Sequence, residues 1–308
     1  MNEQKKHPMD MLKSHLEKIL NVIPPGSKIY FLDYPLYTNV GDLLIWKGTE
    51  QFFEKHDISV KARYSVINFP NDLEIPNDHI IVFQGGGNFG DLWKSHQRLR
   101  ELVIKRYPNH KIVILPQTIY FKNKNNYNKS KRLFNKHKNL HIFARDKQSF
   151  KRLEGFSKNI YLSPDMAHEL WPLKTTANPS KNVLYLLRQD KELNKNVEIQ
   201  PDRIKVTKDW INLLTTKDKK VVQEIREEYK RLGVSDAASW IKFSDYLIDK
   251  AISLFSNHQE VITTRLHGHI LACLLNKRNT FYNNSYGKNV EYYNAWTHTV
   301  QYTTFVKE

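Results

Sequence analysis

The 308-residue chain contains one cysteine, Cys273, so neither an internal disulfide framework nor a CxxC metal site can be built from it. No stretch approaches the ~20 consecutive apolar residues that a membrane-spanning helix requires. Residues 1–10 are polar and mixed in charge and lead into no apolar run with a small-residue cleavage site, so no secretory signal is expected. Acidic residues are in deficit: 32 Asp and Glu stand against 48 Lys and Arg, a net charge of +16. The 13 histidines show no HExxH or paired-ligand spacing, so no metal site is expected. There is no GxSxG elbow, and Cys273 falls mid-helix on an apolar face, where it reads as core. No internal repeat is visible. The expectation is a cytoplasmic protein with an anionic partner: a phosphorylated small molecule, a nucleic acid or an anionic membrane surface.

The length suggests about two domains, and a chain that is 40% hydrophobic and 12% aromatic is not disordered. Residues 28–33 (KIYFLD), 79–84 (HIIVFQ), 111–115 (KIVIL) and 140–145 (LHIFAR) read as strands. Amphipathic runs at 42–55, 92–107 and 146–154 read as the helices between them, which predicts βαβ units and a parallel sheet. The pattern breaks over 163–181, where Pro164, Pro172 and Pro179 mark a crossover between domains. A second alternation follows, with strands at 182–188, 260–264 and 279–282 and helices at 221–231, 243–255 and 267–275. The predicted division is 1–175 and 176–308. The aromatic tail 291–305 could return across the first domain, and the Lys- and Asn-rich stretch 123–138 reads as a solvated loop and helix face.

Three motifs fall between a strand and a helix, where open α/β sheets bind ligands. In Tyr37-Thr-Asn-Val-Gly-Asp42, Asn39 and Asp42 can cap the helix while Gly41 makes the turn; alternatively the free N–H groups there meet an anion. In Gln84-Gly-Gly-Gly-Asn-Phe-Gly-Asp91, three consecutive glycines including Gly86 and Gly87 exceed what a turn needs and suggest backbone passing close to a ligand or another chain. The motif lacks the Lys-Ser/Thr of a Walker A loop and the acidic partner of a dinucleotide fingerprint. Asp91 caps the next helix or positions a hydroxyl-bearing ligand. In Thr263-Thr-Arg-Leu-His-Gly-His269, Arg265 and His267 gather a guanidinium, an imidazole and a helix dipole at one strand end, which suits a phosphate or carboxylate. His267 can also transfer protons, whereas His269 reads as buried or capping. Arg145 and Arg188 each end a strand, either exiting to solvent or forming an anion clamp. Asp165, Tyr286 and Lys288 say little alone.

In this order, Asn-Val-Gly-Asp, Gly-Gly-Gly-Asn-Phe-Gly-Asp, Phe-Ala-Arg-Asp at 143–146, Ser-Pro-Asp at 163–165 and Arg-Leu-His-Gly-His, followed by Asn284-Ser-Tyr-Gly-Lys-Asn289, resemble the polysaccharide pyruvyltransferase family. The likeness runs from about Tyr30 to Trp296 and is greatest to its bacterial exopolysaccharide branch. It implies an α/β fold of two Rossmann-like domains facing a cleft, like GT-B glycosyltransferases. It also implies phosphoenolpyruvate as donor, a sugar as acceptor and a pyruvate ketal as product, with no further cofactor. Arg265, Leu266 and His267 match the family's donor-binding element, and Arg188 its second donor arginine. Asn39, Asp42, Asn88 and Asp91 match signature positions on the acceptor side or in the cleft structure, and Gly86, Gly87, Arg145 and Lys288 join the binding candidates.

In the mechanism this implies, His267 is general acid or stabilises departing phosphate, and Asp42 or Asp91 accepts a hydroxyl proton. The acceptor can be nucleotide-linked, lipid-linked or polymeric, and a lipid-linked one would draw the basic protein to the inner face of the membrane. The competing expectations are a GT-B-type glycosyltransferase using a nucleotide sugar, a nucleic-acid-binding protein and a silent scaffold. Against nucleic acid, the basic residues read as dispersed and no binding motif is present.

Overall fold

The computed structural model describes residues 6–307, apart from Ala177, 190–193, 195–206 and Tyr286. Two all-parallel sheets dominate it. The first draws on β1 (Lys28–Leu32), β2 (Ser59–Tyr64), β3 (Ile80–Phe83), β4 (Gly86–Gly90), β5 (Ile112–Tyr120), β6 (Leu140–Ala144) and β7 (Asn159–Leu162). Its order is β2-β1-β3-β5-β6-β7, with β4 paired to β5. The second, ordered β12-β11-β10-β8-β9, uses β8 (Lys181–Leu186), β9 (Thr207–Lys208), β10 (His258–Thr263), β11 (Arg278–Tyr282) and β12 (Thr303–Val306). The segment between β7 and β8 carries the chain from the first sheet to the second.

The strands of the first sheet that read as unbroken apolar runs are its inner ones. β3 (IIVF) is buried at every position, as a strand covered on both faces must be. Ile81 and Phe83 pack with Leu99, Val103 and Phe134 of α3 (Lys94–Arg106) and α4 (Lys124–Asn135), while Ile80 and Val82 face Leu44 and Phe52 of α2 (Val40–Lys55) and Leu12 of α1 (Pro8–Leu16). A short helix, α5 (Lys147–Arg152), follows β6. In the second unit α6 (Thr216–Leu232), α7 (Ala238–Ser256), α8 (Leu266–Leu274) and α9 (Lys288–Tyr292) connect the strands. One apolar cluster reaches from Phe31 and Leu43 to Leu186, Leu271 and Phe281, so the two sheets share a core along α2 and α8.

Strand order carries the functional consequence. In each sheet the second strand lies on one side of the first and the third on the other. The chain therefore reverses its direction of travel at β1/β3 and again at β8/β10. Connections leaving the strand ends at such a reversal splay apart and open a crevice.

Several elements escaped the pattern. β2 and β7 are partly exposed strands with mixed polarity, so neither shows an apolar run. Residues 86–90 form a strand where a loop between strand and helix was expected, and 124–135 form a full amphipathic helix. The tail supplies a π-helical turn (Tyr293–Thr297) and the edge strand β12, whose parallel pairing to β11 no local signal announces. Trp296 also donates its indole N–H to the Arg145 carbonyl at 2.7 Å, which ties the tail to the first sheet.

Candidate active site

A cavity of about 340 Å³ lies where the carboxyl ends of both sheets meet. Tyr37, Asn39 and Asp42 follow β1; Gly87, Asn88, Trp93 and His96 lie on or just after β4; Arg145 follows β6. From the second sheet come Arg188 after β8, Trp210 after β9, Arg265, Leu266 and His267 after β10, and Lys288 after β11. Each lining residue sits on β4 or in a connection that leaves the carboxyl end of a strand, as the two reversal points dictate.

Four cations enter this space. Arg145 is fully buried at the end of β6, where Nη1 donates to Asp165 Oδ2 at 2.6 Å and Nε to Thr118 Oγ1 at 2.8 Å. Burial works against its charge, yet Asp165 beside it raises the guanidinium pKa above the ordinary value. Arg265 caps α8 and gives the Nε–Nη2 edge of its guanidinium to both oxygens of Asp209, with Nε to Oδ1 at 2.8 Å. Asp209 is itself fixed, because it caps the 3₁₀ turn that presents Trp210 and accepts from the Gln189 N–H. The backbone of Arg188 is anchored by N–H donation to Thr264 Oγ1 at 2.8 Å. Lys288 opens α9 and is buried.

His267, in the first turn of α8, sets Nε2 3.3 Å from Asp165 Oδ2. Asp165 is wholly buried, which disfavours its charge, but His267 and Arg145 together hold the carboxyl well below the ordinary carboxylate range. The Tyr292 hydroxyl accepts from the Asp165 N–H at 3.1 Å and lies 2.7 Å from His168 Nε2, so the tail buttresses this carboxylate as well. The His267 ring rests against α2 at Gly41. A Cβ on Gly41 would stand 2.6 Å from His267 Nδ1 and 2.8 Å from Cβ and Cγ. Gly41 therefore does not make a turn. It lies inside the helix and removes the bulk that would keep the histidine away.

The opposite wall is polar and internally braced. Asn39 caps α2, its Oδ1 accepting from the Gly41 N–H at 3.0 Å, while Asp42 in the first helical turn faces the cavity. Tyr37 is half-buried beside it, and desolvation there, with Asp42 and Asp33 nearby, pushes the phenol well above its ordinary pKa. Asp33 ends β1 in the left-handed region (φ 69°), a conformation that non-glycine residues adopt only at a cost of about 1–3 kcal/mol. Its carboxylate takes His96 Nδ1 at 2.6 Å and Arg100 Nη2 at 2.8 Å, and Asn88 Nδ2 lies 3.3 Å away. Arg100 also donates to the Asn88 side chain and to its carbonyl at 3.2 Å. Asn88 is thus set by a buried network as well as by β4.

The glycine cluster has internal reasons. Cβ atoms on Gly85 and Gly90 would lie 2.8 Å from the Pro116 carbonyl and 1.8 Å from the Tyr120 carbonyl. One on Gly87 would crowd Arg145 Nη2 at 3.1 Å. Gly86 (φ 128°), expected among the binding residues, does not line the cavity; a Cβ there would stand 3.3 Å from Ile45 Cδ1 and 3.6 Å from Asp42 Oδ1.

The cavity thus gathers Asn39, Asp42, Gly87, Asn88, Arg145, Arg188, Arg265, Leu266, His267 and Lys288. It does not include Asp91. That carboxylate accepts from the Lys122 and Asn123 N–H groups at 2.6 and 2.9 Å and from Asn126 Nδ2, which fixes a surface loop and lowers its pKa. The helix it was expected to cap starts with Trp93 at its N-cap position and has no side-chain cap. Tyr286 lies outside the described residues. His269 is buried between Asn279 and Thr297 and pushed down to about 4 by burial, and the Cys273 thiol is pushed up to about 12, so both belong to the core.

Sequence reasoning missed Asp33, Trp93, His96, Asp209 and Trp210, gave Tyr37 no part beyond opening its motif, and left Asp165 without a role. Asp33 carried one legible signal, an acid ending a predicted strand. The others join the site through folds of the chain that no local pattern encodes.

A sequence model of the polysaccharide pyruvyl transferase family matches residues 39–286. EpsO of Bacillus subtilis (strain 168), which bears a pyruvyl transferase name, is 45% identical over 309 residues, covering 98% of this chain and 95% of that protein. Pyruvyl transferase 1 of Schizosaccharomyces pombe is 27% identical over 293 residues, 88% of this chain and 70% of that one. A solved structure of an uncharacterized protein from Klebsiella pneumoniae superposes with a TM-score of 0.64 at 21% identity, covering 97% of this chain and 98% of that one, a likeness of fold.

Proposed function

The chain belongs to the polysaccharide pyruvyl transferase family and is a transferase, and from that premise we propose that it moves the pyruvyl group of phosphoenolpyruvate onto two hydroxyls of a glycan or glycan precursor, forming a pyruvate ketal. The observation that carries the reading is the convergence of Arg145, Arg188, Arg265 and Lys288 with His267 in one cavity. Phosphoenolpyruvate carries a phosphate and a carboxylate on a three-carbon frame. Planar guanidinium forks bind such groups in bidentate fashion, and Lys288 adds a point charge. With that much cationic charge at hand, the proposed chemistry needs no further cofactor. We read the two sheets as Rossmann-like domains of a GT-B-like pair, 1–175 toward the acceptor and 176–308 toward the donor, with Arg145 crossing from the first to help hold the donor.

In this mechanism protonated His267 delivers a proton to the methylene carbon, which gives cationic character to the carbon beside the carboxylate. An acceptor hydroxyl adds there and loses its proton to Asp42. The C–O bond to phosphate then breaks, and a second hydroxyl closes the ring. Two hydroxyl protons leave the acceptor; one remains as part of the new methyl group and the other departs with phosphate, so atoms and charges balance. Asp165 keeps the His267 ring oriented, and Asn39 and Asn88 line the acceptor wall. General acid–base help of this kind is worth about 10²–10⁴-fold, with orientation and fixed charge supplying the rest.

The test is mass spectrometry of candidate glycan acceptors after incubation with phosphoenolpyruvate or with UDP-sugars. The expected result is gain of one pyruvyl group with stoichiometric phosphate release. Nucleotide release from a UDP-sugar, with phosphoenolpyruvate untouched, would instead support a glycosyltransferase.

A further inference from the structure

The net charge of +16 is not spread over the chain. Residues 91–138 hold thirteen Lys or Arg and only two acids, a surplus of eleven, while all other residues together hold 35 cations against 30 acids. The fold brings this segment to one surface, because α3 and α4 pack side by side and are joined by Gln97 Nε2 donating to Ser130 Oγ at 3.2 Å. Both acids are turned to internal use. Asp91 holds the loop before α4 through the 122 and 123 N–H groups, and Glu101 accepts from the Ser130 hydroxyl at 2.6 Å. Arg100 is buried on Asp33, but Lys94, Arg98, Lys105, Lys124, Lys129 and Arg132 stand exposed on the two helices. The basic residues are therefore concentrated, not dispersed as their spacing along the chain suggested.

Two exposed large apolar side chains lie in the same segment, Trp93 at 41% and Leu102 at 39%. Trp93 also lines the catalytic cavity, so the basic face begins at its mouth. We infer that the α3–α4 face seats the enzyme on an anionic bilayer, with the cavity mouth held beside the headgroups. Charge complementarity would serve any polyanion, but exposed Trp and Leu among lysines suit an interface with an apolar interior. No helix among the described residues is long and apolar enough to cross a membrane, so attachment of this kind is peripheral. The face itself stands independently; the choice of a bilayer rests on the proposed glycan transfer, since an acceptor tethered to a lipid is presented at a membrane.

Each Lys or Arg close to an anionic leaflet contributes about a fivefold factor in partitioning. Co-sedimentation of the full chain with vesicles of phosphatidylcholine alone, or with about one-third phosphatidylglycerol, at about 0.15 M salt reads this directly. The expected result is phosphatidylglycerol-dependent binding that falls about 100-fold in the variant R98Q/K129Q/R132Q. It should fall less than about fivefold in K217Q/K230Q/R231Q, which removes the same charge from α6. Equal losses in both variants, no dependence on phosphatidylglycerol, or tighter binding of duplex DNA by the same face would each overturn the inference. The assay contains neither donor nor acceptor. A chain that bound vesicles yet released no phosphate from phosphoenolpyruvate would overturn the transfer reaction and leave the docking face intact.

Discussion

Replacing Gly41 by Ala adds one methyl group where His267 rests on α2. The new carbon would sit 2.6–2.8 Å from His267 Nδ1, Cβ and Cγ. Ordinary contact needs about 3.5 Å, so the ring or the start of α8 must retreat by about 0.8 Å. The atoms met include the histidine Cβ, so rotation of the ring alone cannot relieve the overlap. The effect on stability is small because two terms oppose each other. Alanine gains about 1 kcal/mol of helix propensity over glycine, and the overpacking costs about 1–3 kcal/mol. The effect on turnover is large, because misplacing a reacting group by about 1 Å can cost about 10²-fold. The assay is phosphate release from phosphoenolpyruvate with a working acceptor, read as kcat and KM, alongside thermal melting. Gly41→Ala should lose about 10²-fold in kcat with a melting temperature within a few degrees of the parent. In a His267→Ala background the same change should do almost nothing further to kcat, since the imidazole it displaces is gone, even though the Cβ contact remains. Wild-type kcat in Gly41→Ala, or fully additive losses in the double variant, would refute the idea that this glycine exists to admit His267 to the cavity.

Other outcomes follow from the same geometry. Asp42→Asn should lose about 10²–10⁴-fold in turnover if its carboxylate takes the hydroxyl proton, whereas Asp91→Asn, on a loop outside the cavity, should stay within about twofold; a reversed order would restore Asp91 to the chemistry. Arg265→Ala should raise KM for phosphoenolpyruvate by about 10²-fold, as expected for losing a pair of charge-assisted hydrogen bonds, and Asp209→Asn should raise it less, by loosening the same guanidinium; an unchanged KM in both would remove Arg265 from the donor site. EDTA should leave turnover intact, and activity lost to chelation and regained with Mg²⁺ would contradict a donor site served by side-chain cations alone. Stability should fall as pH drops below 6.5. His168 and His269 are each pushed down to about 4 by burial, so the folded state binds fewer protons than the unfolded chain between those values. Their contribution is complete above pH 6.5 and is lost on acidification toward pH 4, by about 3 kcal/mol for each. Melting temperatures that stay flat from pH 7 to pH 4.5 would contradict it.

Arg145 and Arg265 each hold a buried aspartate, Asp165 and Asp209, which keeps their guanidinium planes fixed without leaving unpaired charge in a low-dielectric site. In the proposed reaction an anionic donor would meet these already oriented guanidinium groups without reorganising them, the condition under which electrostatic stabilisation is most effective.

The alternation of apolar strands with amphipathic helices was legible residue by residue. A buried parallel strand must be apolar on both faces, and a helix covering it must be apolar on one. The same local rules pointed to 37–42, 84–91 and 263–269 as strand-to-helix connections, and to Arg265 and His267 as the charge at one of them. Local rules misassigned Gly41 and Asp91, because a helix glycine meeting a distant histidine and an acid serving a neighbouring loop look no different in sequence from a turn and a catalytic group. Asp33, His96 and Trp210 entered the site only when both sheets reversed at β1/β3 and β8/β10 and turned their carboxyl ends toward one space. Likewise the basic residues at 94–105 and 122–136 became one face only when α3 met α4. Periodicity is set by neighbours a few residues apart and can be read along the chain. Convergence depends on long-range strand pairing and on packing between sheets, and these exist only in the folded molecule.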